Sequence, residues 1–343
     1  MFIDRRVRPA FRIDHVGPFL RSRPLIGARL QGLTGKSLSH VEDTEIRALV
    51  QMQERVGLTV VGDGELRRSF GHYDFLRAIQ GLISNVLDDG GLGIATSSLP
   101  PVALVIKGPL HVPFDHPVLR ECRFLAQCTT RVIRVSVPSP ASMLWWMYKD
   151  QTDIPEAALA AVAELYRGLL NALRSAGCRY VVLDEVNFGA IINGQAQRWY
   201  DTTLRVLAAS LIDRPTDVTV GVYLPFVQEL SAVALANFLE PLVNDARPDV
   251  LVVTPPSEDF CWLGAVQSAD VRILPVLLAL ERFDYQDVSA LCQQLNLASR
   301  YCPLEKLGIA AVSSLGRGAS NEILQEKALR LLVGVQEQLW GQD

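Results

Sequence analysis

Runs of apolar, largely β-branched residues recur along this chain with helix-forming sequence between them, and that alternation restricts the fold more than any other feature. The runs are Phe11–Val16, Leu58–Gly62, Arg131–Val137, Arg179–Asp184, Asp217–Tyr223, Asp249–Thr254, Val271–Ala279 and Lys306–Ser313. Near-continuous apolar runs belong to parallel strands buried on both faces, so each run followed by a helix reads as one βα unit. Eight such units close a (β/α)8 barrel. The expected fold is therefore α/β, a single TIM barrel spanning residues 1–343 as one domain. The clearest helix runs from Ile154 to Ala176, with Asp153 and Pro155 at its start and Gly177 at its end. The spacing after the second run exceeds one helix. The excess, Ile83 to Pro113, holds the turn signal Asp88-Asp89-Gly90-Gly91 and predicts an inserted hairpin and loop. The tail from Asn321 to Trp340 is helical in pattern and should complete the outer ring.

With 49% hydrophobic residues the chain has ample material for a large core. A net charge of -4 argues against nucleic acid as the main partner, because phosphate binding needs a basic face. Arg5, Arg6 and Arg8 read as solvated charges. The start, Met1 to Arg6, lacks the apolar core of a signal peptide, and no run approaches the ~20 apolar residues of a membrane span. The expectation is a cytoplasmic protein whose partner is a small molecule, with no membrane association; the oligomeric state is not legible. Six cysteines show no CxxC spacing and read as free thiols. Cys261, in the segment Ser257 to Trp262, is the one candidate for reactivity, which would need exposure and a cationic neighbour.

A barrel enzyme builds its site from residues at the carboxyl ends of its strands. Those ends carry His15-Val16-Gly17-Pro18 with Arg21, then Asp63-Gly64-Glu65-Leu66-Arg67-Arg68 with His72 and Asp74, then Pro138-Ser139-Pro140, Asp184-Glu185, Tyr223, Thr254 and Ser313. In order and spacing, over nearly the whole chain, these elements resemble the catalytic half of cobalamin-independent methionine synthase and its short stand-alone relatives. The opening is similar to an HxGS...R element and the second end to DGExRR. The strand ending Asp184-Glu185 looks like QxDE, with Val182 in place of the glutamine.

The resemblance implies a group (methyl) transferase, with a folate as a possible methyl donor. It implies that Glu65 and Asp184 hold a substrate amino group and that backbone near Gly17 cradles a carboxylate. It also exposes a departure. Where the family has His-x-Cys, Glu and Cys as zinc ligands, this chain has Tyr223-x-Pro225, Thr254, and Ser313 or Leu315. None of these is a thiolate, imidazole or carboxylate donor, so no zinc and no other required cofactor is expected. Pro18 stands where the family has serine, removing a hydroxyl and an N–H.

Asp184, Tyr223 and His72 are the catalytic candidates, by carboxylate, phenol and imidazole proton chemistry. His15, Gly17, Arg21, Asp63, Glu65, Arg67, Glu185 and Trp145 are the substrate-binding candidates. Against these stand plainer readings. Glu65 and Asp184 could pair with Arg67, Arg68 or Arg21, Tyr223 could fill the vacated metal position, and Trp145, Trp146 and Tyr148 could be packing residues. Two alternative functions stay open: a metal-free lyase, isomerase or decarboxylase, and a catalytically silent binding protein.

Overall fold

Every one of the eight expected runs contains a strand. The computed structural model describes residues 11–69, 71–84, 104–189, 197–225, 231–256, 259–279, 286–313 and 322–341. The strands are β1 (Ile13–Val16), β2 (Val60–Val61), β3 (Gln80–Ser84), β4 (Leu104–His111), β5 (Val132–Pro138), β6 (Tyr180–Asp184), β7 (Thr219–Leu224), β8 (Val250–Val253), β9 (Arg272–Ala279) and β10 (Ile309–Val312). Eight of them form one sheet in the order β1-β10-β9-β8-β7-β6-β5-β2, with parallel pairing throughout. With helices between the strands, this is a nearly closed α/β barrel.

The seam lies between β1 and β2, which share no ladder. Its cause is visible at Gly62. The Gln53 side chain accepts from the Gly62 N–H at 3.0 Å and donates to its carbonyl at 2.8 Å. An amide from the helix Gly35–Val56 thus satisfies backbone groups that a neighbouring strand would otherwise pair.

The inserted hairpin is present as antiparallel β3 and β4, beginning at Gln80, three residues earlier than expected. Gly81, at φ 84°, sits at a register shift where an added Cβ would lie 2.2 Å from the Pro109 carbonyl oxygen. That bulge disguises the strand start in the sequence. The turn Asp88-Asp89-Gly90-Gly91 lies outside the described residues. The long helix spans Glu156–Ser175 and gives way to Gly177 at φ 102°, as expected, but Pro155 rather than Asp153 occupies its N-cap position. The tail helix spans Glu322–Trp340. No helix among the described residues is long and apolar enough to cross a membrane.

Two cores result. One lies between the sheet and the helices; the other fills the barrel with Phe11, Val16, Val60, Tyr180, Val182, Tyr223, Val250, Val252, Leu274, Val276 and Ala310. Polar groups interrupt the second. Asp14 accepts from the Tyr180 hydroxyl at 2.8 Å and pairs with Arg134 Nε at 3.0 Å, and both charged side chains are buried.

Candidate active site at the carboxyl face of the barrel

Strand register sets the centre of the site. Pro138, Asp184, Tyr223 and Val252 stand abreast on β5, β6, β7 and β8. Asp184, only 4% exposed, is the last residue of β6. Its Oδ2 accepts from the Ser136 hydroxyl at 3.1 Å and lies 3.2 Å from His72 Nε2, while its Oδ1 is buried with no partner among the described residues. His72 opens the short helix His72–Leu76, and Gly71 before it has φ 58°.

Glu65 reaches the same network through a turn. Asp63 Oδ1 accepts from the Glu65 N–H at 2.9 Å, an Asx-turn bond, and both Gly64 and Glu65 have positive φ, at 67° and 57°. A Cβ at Gly64 would lie 2.5 Å from Leu49, so this position admits only glycine. Glu65 Oε2 lies 3.2 Å from Arg68 Nη1, and Arg68 also donates to the Ser136 carbonyl. Ser136 is therefore the joint: its carbonyl holds the partner of Glu65, and its hydroxyl holds Asp184. Arg21 braces the turn by donating to the Arg68 carbonyl at 2.6 Å.

A small cavity lies along the β1/β2 seam. It is lined by His15, Gly17, Asp63, Glu65, Arg134 and Ser136, among others. His15 is buried and stacks on Phe19 with ring centroids 4.0 Å apart, and neither ring nitrogen has a partner among the described residues. Burial, with Arg134 adding, lowers its pKa to about 3, so this imidazole is neutral. Gly17 has φ 82°, and a Cβ there would approach the Ser313 carbonyl oxygen to 3.0 Å.

Three expected binding residues are turned elsewhere. Arg67 pairs with Glu42 at 3.2 Å and with Asp43, and lies over the Phe124 ring; Arg68, its neighbour, is the one that joins the network. A one-residue rotation of the turn decides between them, which adjacent arginines in a sequence cannot reveal. Trp145 packs on Trp199, centroids 4.9 Å apart, against the helix Gln197–Leu211. Glu185 is fully buried, its carboxylate accepting from the hydroxyls of Ser139 and of Ser142, the latter at 2.7 Å. Cys261 is exposed, but desolvation and then Asp259 raise its thiol, the reverse of activation.

Burial lifts the Glu185 carboxyl to about 7, against the pull of its serine donors. A folded-state pKa above the unfolded one means that the group's contribution is present at low pH and lost as pH rises toward 7. Glu185→Gln should therefore flatten the decline in stability between about pH 4.5 and 7 relative to wild type. Urea midpoints across that range would show it; parallel curves for the two proteins would refute the assignment.

Three residues at positions where the resemblance puts zinc ligands, Tyr223, Thr254 and Ser313, bond to one another or to the backbone. Tyr223, 8% exposed, is hydrogen-bonded to Thr254; burial raises its phenol above the ordinary value, and that bond offsets it in part. The Ser313 hydroxyl donates to the Pro18 carbonyl. Leu315 lies outside the described residues. Among the described residues no group of three or more His, Cys, Asp or Glu side chains is placed to hold a metal. The donors at these positions do not fit zinc.

The chain is 23% identical to a Listeria monocytogenes protein provisionally assigned as a vitamin-B12 independent methionine synthase, with TM-score 0.77 over 97% of this chain and 98% of that one. A B12-independent methionine synthase from Shewanella sp. W3-18-1, solved with selenomethionine, gives TM-score 0.68 at 15% identity over 89% of each chain. Its structural neighbours are cobalamin-independent methionine synthase-like proteins. In sequence it is 25% identical to the uncharacterised Bacillus subtilis protein YxjH over 98% of this chain and 97% of that protein. A 5-methyltetrahydropteroyltriglutamate–homocysteine methyltransferase from Thermosynechococcus vestitus is 27% identical over 46% of this chain and 20% of that enzyme. No family model matches.

Proposed function

We propose that this protein is a zinc-independent enzyme that holds a small amine-bearing substrate at the carboxyl face of its barrel and transfers a group, most simply a methyl group, to or from it. The observation that carries the reading is the state of Asp184. One carboxylate oxygen is fixed by Ser136 and His72, and the other is buried with no partner among the described residues. A buried carboxylate oxygen without a donor is costly, and an ammonium group would satisfy it. Glu65, tied to the same network through Arg68 and Ser136, supplies the second carboxylate. Transfer rather than another reaction rests on the resemblance to the methyltransferases named above, and a folate is the donor that resemblance suggests. A zinc-bound thiolate has no place in this reading, so the acceptor is one that needs no metal to become nucleophilic.

The contact between His72 and Asp184 favours a second reading, proton transfer in a lyase or isomerase. Equilibrium binding of labelled 5-methyltetrahydrofolate separates the two. Saturable binding that methylates an amine-bearing acceptor supports transfer. No folate binding, together with solvent deuterium entering the bound amine, supports proton transfer instead.

Tyr223 stands at one of the positions where the resemblance puts a zinc ligand and still offers a hydroxyl. Tyr223→Phe should leave folding intact and lower ligand affinity or turnover about tenfold, the scale of one hydrogen bond in a dry site, ~1.4 kcal/mol. Unchanged binding and rate would show that the tyrosine only occupies the metal's place.

A further inference from the structure

Resting on the reading of Asp184 and Glu65 as an ammonium site, we infer that the substrate is an amine without an α-carboxylate, not an α-amino acid. Two independent observations lead there. The first is the shortage of anion receptors at the mouth. Pro18 has no N–H, and its carbonyl already accepts from Ser313. The N–H of Phe19 is taken by the Gly64 carbonyl at 3.0 Å, and that of Leu20 by Gln325 Oε1 at 2.9 Å. The N–H of Glu65 is taken by Asp63, and that of Ser313 by the Val16 carbonyl at 3.2 Å. Among the described residues, the loop after β1 and the two loop ends facing it present none of these donors to a carboxylate.

The second observation is charge. Asp14, Asp63 and Glu65 line the seam cavity, and Arg134 is the one cation among its lining residues. Arg134 is itself paired with Asp14. His15, the remaining titratable group in the lining, is neutral, so it adds no positive charge. Asp184 adds a further carboxylate, hydrogen-bonded to Ser136 of the same lining, and Arg68 is committed to Glu65. A substrate carboxylate would enter a space with an excess of negative groups, where the one cation, Arg134, is already paired with Asp14 through Nε and offers only its Nη2 as a donor without a partner among the described residues. A cation with an uncharged tail meets the opposite situation. The buried nitrogens of His15, which have no partner among the described residues, can still accept from or donate to a neutral polar atom of that tail.

Calorimetric titration of the full-length protein with two probes that differ only in the carboxylate, 3-(methylthio)propylamine and L-methionine, tests this. The amine should bind at least about tenfold more tightly. In Asp184→Asn both should weaken, since both would present the same ammonium group. L-Methionine binding as tightly as the amine, or more so, overturns the inference and leaves the ammonium site standing. Binding of neither probe, or binding of the amine that ignores Asp184→Asn, overturns the ammonium site and the inference with it.

Discussion

Arg134→Met is expected to be the most destabilising single change in the barrel interior, costing about 3–5 kcal/mol at pH 7. The methionine keeps most of the arginine's apolar volume but leaves Asp14 as a buried carboxylate whose only remaining donors among the described residues are the Tyr180 hydroxyl and the His15 backbone N–H. Burial already raises the Asp14 carboxyl, and Arg134 is the largest influence opposing that rise. Without it the folded-state pKa climbs further above the unfolded one. The sign follows: the folded variant must take up a proton that the unfolded chain gives away at neutral pH, so its stability falls as pH rises. The deficit against wild type should therefore shrink as pH is lowered toward about 4, where the folded variant holds Asp14 protonated and the unfolded chain is itself taking up the proton. Urea midpoints at pH 7 and near pH 4 measure it. A deficit of the same size at both values would mean that packing, not charge, sets the effect.

Asp184→Asn should have the largest effect on function. It removes one charge and almost no volume, and Ser136 and His72 can still reach the amide. Folding should therefore survive. What disappears is the anionic oxygen that faces no protein donor. Loss of one partner of a desolvated charge pair typically costs 2–5 kcal/mol, so affinity for a small amine should fall at least about a hundredfold. Glu65→Gln should fall less, because the charge of Glu65 is already shared with Arg68 at 3.2 Å, whereas Asp184 Oδ1 has no donor among the described residues. Calorimetric titration of each variant with a primary amine provides the comparison. Equal affinities in wild type and Asp184→Asn would remove Asp184 from the site.

The architecture was legible because its signal is redundant. Eight separate apolar runs each had to be a buried strand, and the misplacement of one end, as at Gln80, changes nothing in the whole. The site was legible only in part. Strand-end carboxylates such as Asp184 and Glu65 stand out because such groups are costly unless partnered, and the structure joins them through Arg68 and Ser136. The choice between Arg67 and Arg68, or between Asp184 and Glu185, turns on which way a single residue faces. Two left-handed residues in succession, Gly64 and Glu65, set the first, and the hydroxyls of Ser139 and Ser142 set the second. Neither is written in local composition. Ser136 and Arg134 were missed although a signal existed. They share the inward face of β5 with Pro138 by simple alternation, and applying that period to the third run would have found them.

On the proposed reading, the site of Asp184 and Glu65 works without a metal. Elemental analysis of protein purified without chelator tests it most directly. The expected result is well under one zinc per chain, with amine binding unchanged by dialysis against a chelator. One full equivalent of zinc that resists dialysis, and whose removal abolishes amine binding, would contradict it.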